Sequence, residues 1–263
     1  MSSARYELHG STATITLDNP EKRNAITEEL LAEISAGVRA AEVDPDVRSI
    51  VLTHTGNTFC AGADLTGPVS GGSESPLERI RRSGEQAAAV YRLLAESPRP
   101  IIAAIHGHVR AGGMGFVASS DFVIAGPRAT FGLSEVRIGV VAAIISAPVL
   151  SRIGDRFASD WLLRGGAVSA SEAAAAGFVT RAVDGESTTV DDAVAEILAD
   201  LRRGAPAALA ASKRLVNRSL IARMDRETDE MVQLSTSAFS SSEGQAGIQS
   251  FLQRTAPPWE LNA

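Results

Sequence analysis

Cysteine is almost missing from this chain. Cys60 stands alone among 263 residues, so no disulfide can form within the chain and a reducing compartment suits it. Positive charge is also in deficit. A formal net charge of −6 argues against a general nucleic-acid binder, which would carry a basic domain. The basic groups Arg79-Arg81-Arg82, Arg202-Arg203 and Lys213-Arg214 read as solvated faces. No basic stretch followed by an apolar run opens the chain, so MSSARYELHG does not read as a signal peptide. The longest apolar run, Ile138 to Leu150, is too short for a membrane span and contains Ser146 and Pro148. The cytoplasm is the expected location.

Several chemistries are excluded by missing motifs. The glycines of AGGMG, Ala111 to Gly115, lack the dinucleotide-binding spacing, and no Gly-Lys-Ser/Thr sequence makes a phosphate loop. No G-x-S-x-G elbow supports a serine hydrolase. His106 and His108 share one face of an extended stretch but have no further ligands nearby, so they read as structural and no metal is expected.

What is present is ordinary globular material, 44% hydrophobic and 21% charged. Arg5–Leu8 and the alternating Thr12–Leu17, joined at His9-Gly10-Ser11, read as a hairpin. Thr27 is the expected N-cap of a helix whose apolar stripe is Leu30, Leu31, Ile34 and Val38. RSIVLTHTGNTFCAGADL, PIIAAIHGHVRAGGMGFV and DFVIAGPRATFGLSEVRIG share one design: a buried strand, a glycine break, and a short extended piece leading to a helix or loop. That weak repeat predicts a spiral of ββα turns. TGPVSGGSES, Thr66 to Ser75, reads as a mobile loop. Val190–Leu201, Ala205–Leu220, Arg226–Ser240 and Gly244–Arg254 read as helices, a helical appendage in the last quarter.

Three places carry chemical promise. In CAGAD, Cys60 to Asp64, small residues after a strand either make a tight turn or leave the Ala63 N–H open to a cleft. In AGGMG the glycines either serve packing or bare the peptide N–H groups at a helix start, where the dipole favours an anion or oxyanion. In FGLSEVRIGV, Glu135 sits among Phe131, Leu133, Val136 and Ile138. It is either a salt-bridge partner of Arg137 or Arg128, or a buried acid/base whose pKa is raised. Asp121, after Ser119-Ser120, reads as a helix-terminal hydrogen-bond acceptor.

Taken in order, NPEKRNAIT, FCAGADL, IAAIHGHVRAGGMGF, FGLSEVRIG and GGAVSASEAAAAGFVTRAV resemble the crotonase family, the enoyl-CoA hydratase/isomerase superfamily. The resemblance runs from about residue 5 to the closing EGQAGIQSFLQR, and its specificity lies in the order and spacing of the motifs. It implies an α/β fold with a ββα spiral core over 1–200 and a helical trimerisation region over 201–263. Trimers or dimers of trimers are implied, with Leu215, Val216, Leu220, Ile221, Met224, Met231, Val232 and Leu234 as the apolar surface. The implied substrate is an acyl-CoA thioester, with coenzyme A part of the substrate and no other cofactor. By motif position Ala63 and Gly112 would donate the two oxyanion-hole N–H groups, and Glu135 would be the catalytic acid/base. Arg23, Ala25, Ala61, Gly62, Asp64, Leu65, Gly113, Gly115, Phe251 and Arg254 would bind substrate and CoA.

One departure matters. Two-glutamate hydratases of this family carry a glutamate where this chain has Gly115, and Val140 to Ile145 offers no polar replacement. The expected activity is hydration of a 2-enoyl-CoA with Glu135 alone. Δ3,Δ2-isomerisation by one carboxylate and non-catalytic acyl-CoA binding are the alternatives. A side chain added at position 115 would be expected to enter the site.

Overall fold

The computed structural model describes residues 2–65 and 75–261. The stretch expected to be a mobile loop lies, except for Ser75, outside them. The chain opens with the hairpin β1 (Ala4–His9) and β2 (Thr12–Leu17), paired antiparallel from Ala4↔Leu17 to His9↔Thr12. A single 3-10 turn at Pro20–Lys22 leads to α1 (Glu28–Val43). The Thr27 hydroxyl caps α1 by accepting the Leu30 N–H at 3.1 Å. Leu30, Leu31, Ile34 and Val38 are all buried, and each such side chain contributes about 1.5–3 kcal/mol on leaving water.

Three spiral turns follow. The first is β3 (Ser49–His54), β4 (Thr58–Cys60) and α2 (Pro76–Glu96); the second is β5 (Ile101–Ile105), β6 (His108–Arg110) and α3 (Gly113–Ser119). The third is β7 (Phe122–Ala125), β8 (Thr130–Gly132), a 3-10 turn at Glu135–Ile138, and α4 (Ala143–Val149). In each turn the first strand enters one sheet and the second strand enters another. α5 (Asp155–Arg164), β9 (Ala167–Ser169), α6 (Ala170–Ala175) and β10 (Arg181–Ala182) complete the strands, giving sheet orders β1-β2-β3-β5-β7-β10 and β4-β6-β8-β9. β5 reads IIAAI because it is covered on both faces, as strands of parallel sheets are. Ile101, Ala103 and Ile105 join the main core, whereas Ile102 and Ala104 meet Ala193 and Val194 of α7 (Val190–Leu201) on the other face.

Helix α8 (Pro206–Ser240) runs unbroken across the two separate helices expected from the sequence. No glycine or proline occurs between Pro206 and Ser240 to stop it. It packs along α2 and α4, and α9 (Ser242–Gln253) follows. Leu220, Met224 and Val232, expected to face other subunits, are buried within this chain, while Leu215 and Val216 stay exposed.

Lys213 also departs from its reading as a solvated cation. Its Nζ donates to the carbonyls of Leu94 and Arg99 at 2.9 and 3.0 Å and lies 2.7 Å from an Asp121 oxygen. Asp121, just past the end of α3, is an acceptor as expected, but its donors are remote: the Ile101 N–H and an Asn217 amide hydrogen as well as Lys213. This network pins α8 to the core. Lys213→Met should leave the Asp121 carboxylate short of a partner and lower stability by about 3 kcal/mol, read by urea denaturation. A loss below about 1 kcal/mol would show that the pin is dispensable.

Candidate active site

The site begins with two left-handed residues. Arg23 and Asn24 have φ of 53° and 51°, which turns the NPEKRNAIT loop back on β4. Asn24 is fully buried and holds the turn by donating to the Thr58 and Thr55 carbonyls at 2.7 and 3.1 Å. The loop then pairs with CAGAD. Ala61 N–H donates to Arg23, Ile26 N–H to Gly62, and Asp64 N–H to Ile26. This alternation leaves the Ala63 N–H with no backbone acceptor among the described residues.

The second turn stacks on the first. Gly62 has φ of +88°, and a Cβ there would lie 2.6 Å from the Ala111 Cβ and 3.4 Å from the Gly112 nitrogen. Glycine is required for that close approach. Gly112 caps α3, and its N–H likewise has no backbone acceptor among the described residues. The glycines that follow have other reasons. A Cβ on Gly113 would collide with the Cβ of Cys60 at 2.8 Å, and one on Gly115 would lie 2.6 and 2.7 Å from ring carbons of Tyr91. Gly62, Gly113 and Gly115 therefore stand behind the cavity wall, not on it. A side chain added at 115 meets the Tyr91 ring before it can reach the site, which corrects the sequence expectation.

Glu135 opens the 3-10 turn after β8. It is 8% exposed, its Oε2 has no hydrogen-bond partner among the described residues, and no salt bridge to Arg137 or Arg128 forms among them. Arg137 instead donates to the Arg164 carbonyl at 3.1 Å. Burial raises the Glu135 pKa from 4.5 to about 7. The turn is braced from outside by α9. Gly139 ends it with φ of +69°, Gly247 lets α9 approach the Ile138 carbonyl, and the Trp259 ring packs where Cβ atoms of Gly139 and Gly247 would be.

These parts enclose a cavity of about 650 Å³. Its wall includes Ala63, Gly112 and Glu135, with Arg23, Ala25, Ala61, Asp64, Leu65 and Phe251 also lining it. Arg254 is an exposed left-handed residue closing α9 and lies outside the wall. Arg79, read as part of a solvated face, lines the cavity instead, and Lys22 pairs with Asp64 at 3.2 Å in the wall. The apolar run Val140–Ile145 lines it together with Ile80, Gly84 and Ala87 of α2, and Gly84 lets Ile144 pack close against that helix. Sequence reasoning missed Asn24 and Tyr91. Tyr91 follows the apolar spacing of α2 and looks like any core residue, yet its hydroxyl donates to the Gly112 carbonyl at 2.8 Å.

Other reactive groups are out of play. Cys60 is fully buried and burial pushes its thiol up to about 12. His108 pairs with the Thr130 hydroxyl, His106 lies 3.6 Å from Asp191, and the described residues hold no cluster of metal ligands. No helix among them is long and apolar enough to cross a membrane.

A ββα spiral with its second strands gathered in a separate sheet is the crotonase fold. The family model described as enoyl-CoA hydratase/isomerase matches residues 7–262, and the chain belongs to that family of enzymes. The crystal structure of an enoyl-CoA hydratase from Mycobacterium avium is 37% identical, with a TM-score of 0.90, covering 99% of this chain and 100% of that one. A mevalonyl-coenzyme A hydratase of Aspergillus fumigatus is 30% identical over 93% of this chain and 90% of its own length. A 2,3-dehydroadipyl-CoA hydratase of Escherichia coli is 27% identical over 94% of each.

Proposed function

We propose that this enzyme adds water across the double bond of a 2-enoyl-CoA thioester. The observation that carries the reading is Glu135, a buried carboxyl lifted to about 7 whose Oε2 is unpartnered on the cavity wall. Hydration needs a base for water and an acid for the α-carbon, and one carboxyl can serve both in turn. The thioester oxygen would accept from the Ala63 and Gly112 N–H groups. Water oxygen bonds to the β-carbon as Glu135 takes its proton, the π electrons move onto the thioester oxygen, and the enolate collects that proton at the α-carbon. The two peptide donors stabilise the enolate charge. Arg23, exposed at the cavity edge, supplies a cation for the CoA phosphates, and Phe251 an apolar face for the carrier.

Δ3,Δ2-isomerisation is the second reading, favoured by Gly115 standing where two-glutamate hydratases carry their other glutamate. Incubation with 2-enoyl- and 3-enoyl-CoA, followed by mass, separates the two. A mass gain of one water from the 2-enoyl thioester is expected, and isomerisation without hydration would overturn the first reading. Inertness towards both would indicate a non-catalytic binder. The base must be ionised, so kcat/KM should fall as pH drops through about 7 and level off above it.

A further inference from the structure

Beside Gly112 the cavity wall carries a phenol as well as a carboxyl. Tyr91 is only 2% exposed, yet it lines the cavity. Its ring is held edge-on to Phe116 at 5.3 Å between centroids and fills the volume over Gly115. The hydroxyl proton is committed to the Gly112 carbonyl at 2.8 Å. A phenolic oxygen that has donated its hydrogen still has lone pairs, so towards the cavity Tyr91 can only accept. Burial raises its pKa well above 10, and the nearby Glu135 carboxyl adds to that, so the group stays neutral and is no base.

Hydration poses a geometric demand that Glu135 alone does not meet. The reacting water has two hydrogens, and one goes to Glu135. The other needs an acceptor, or the water is free to spin and its lone pair loses its aim at the β-carbon. Val140 to Ile145, Ile26 and Ala87 give the cavity wall apolar surface; the wall's hydroxyls are those of Ser83, Ser134, Ser235 and Tyr91, and that of Tyr91 stands beside Gly112. We propose that Tyr91 Oη accepts the second O–H of the reacting water, fixing its lone pair towards the β-carbon while Glu135 takes the first proton. This makes Tyr91 a catalytic residue and rests on the hydration reading. The proton ledger is unchanged, because Tyr91 neither gains nor loses one.

The test compares two reactions of the Tyr91→Phe enzyme. Hydration of a 2-enoyl-CoA uses the water; exchange of the α-hydrogens of a saturated acyl-CoA in deuterium oxide uses only Glu135 and the peptide donors. Hydration kcat should fall about 10- to 100-fold, with KM and exchange each within about threefold of the parent. Equal losses in both reactions would show that Tyr91 merely braces Gly112, and an undiminished hydration kcat would also overturn the proposal. A parent enzyme that exchanges α-hydrogens but hydrates nothing would instead remove the hydration reading itself. Should the variant not fold, the parent crystallised with a 3-hydroxyacyl-CoA decides. Its 3-hydroxyl should lie within about 3.2 Å of Tyr91 Oη, and a separation beyond about 4 Å would refute the contact.

Discussion

Glu135→Gln should lose activity and gain stability in the same protein. The amide keeps the shape of the carboxyl but cannot carry a proton, so turnover should drop by about 10²- to 10⁴-fold. The stability half follows from linkage. The folded-state pKa of Glu135 is raised to about 7 from an unfolded value near 4.5, so its contribution is fully present below pH 4.5 and is lost as pH rises through 7. At pH 8 the parent fold holds a buried charge that the glutamine variant lacks. The shift is equivalent to about 3 kcal/mol as an upper figure, a rise in Tm of several degrees at pH 8. At pH 4 the difference should vanish. Thermal melts at the two pH values, with kcat on the best 2-enoyl-CoA, check both halves. A glutamine variant less stable than the parent at pH 8 would mean that Glu135 is partnered in solution, and an unchanged rate would remove it from the chemistry.

Gly115→Glu is expected to fail as a second acid. The Tyr91 ring occupies the space into which the new Cβ would point. Tyr91 cannot step aside, because its hydroxyl is bonded to Gly112 and its ring is wedged against Phe116. Overpacking of this kind costs about 1–3 kcal/mol even for small additions, and an unpaired buried carboxylate adds several more. The helix propensity regained on removing glycine, about 1 kcal/mol, does not offset this. The variant should melt well below the parent and show no gain on crotonyl-CoA. Pairing it with Tyr91→Ala makes room, so the double variant should be more stable than additivity of the two single changes allows. Strict additivity would mean that positions 91 and 115 do not touch.

Much of this was legible because turn chemistry is local. CAGAD and AGGMG show their glycines, and the three strand–break–strand segments announce the ββα spiral. Thr27 shows its capping role through the residues beside it. What stayed hidden depends on partners far away in the chain. Tyr91 lies 21 residues before the carbonyl it serves, and nothing in QAAAVYRLL says which way that helix face looks. Lys213 and Asp121, 92 positions apart, each look like surface residues until the fold brings them together. The choice between open backbone and mere packing was resolved differently for neighbouring glycines. Gly112 reaches the cavity; Gly113 and Gly115 yield their volume to Cys60 and Tyr91.

The bracing of the Glu135 turn by α9 and Trp259 ties that carboxyl to polypeptide made about a hundred residues after it. During synthesis the two glycine turns, at 61–64 and 111–113, are laid down long before residues 242–259 that hold the Glu135 turn in place. A chain ending before residue 242 would still carry both glycine turns and Glu135, but it would lose Phe251 from the cavity wall and the brace that α9 and Trp259 give the Glu135 turn. The indole of Trp259, packed against Gly139 at one end of that turn, is an intrinsic optical label for whether the brace has closed.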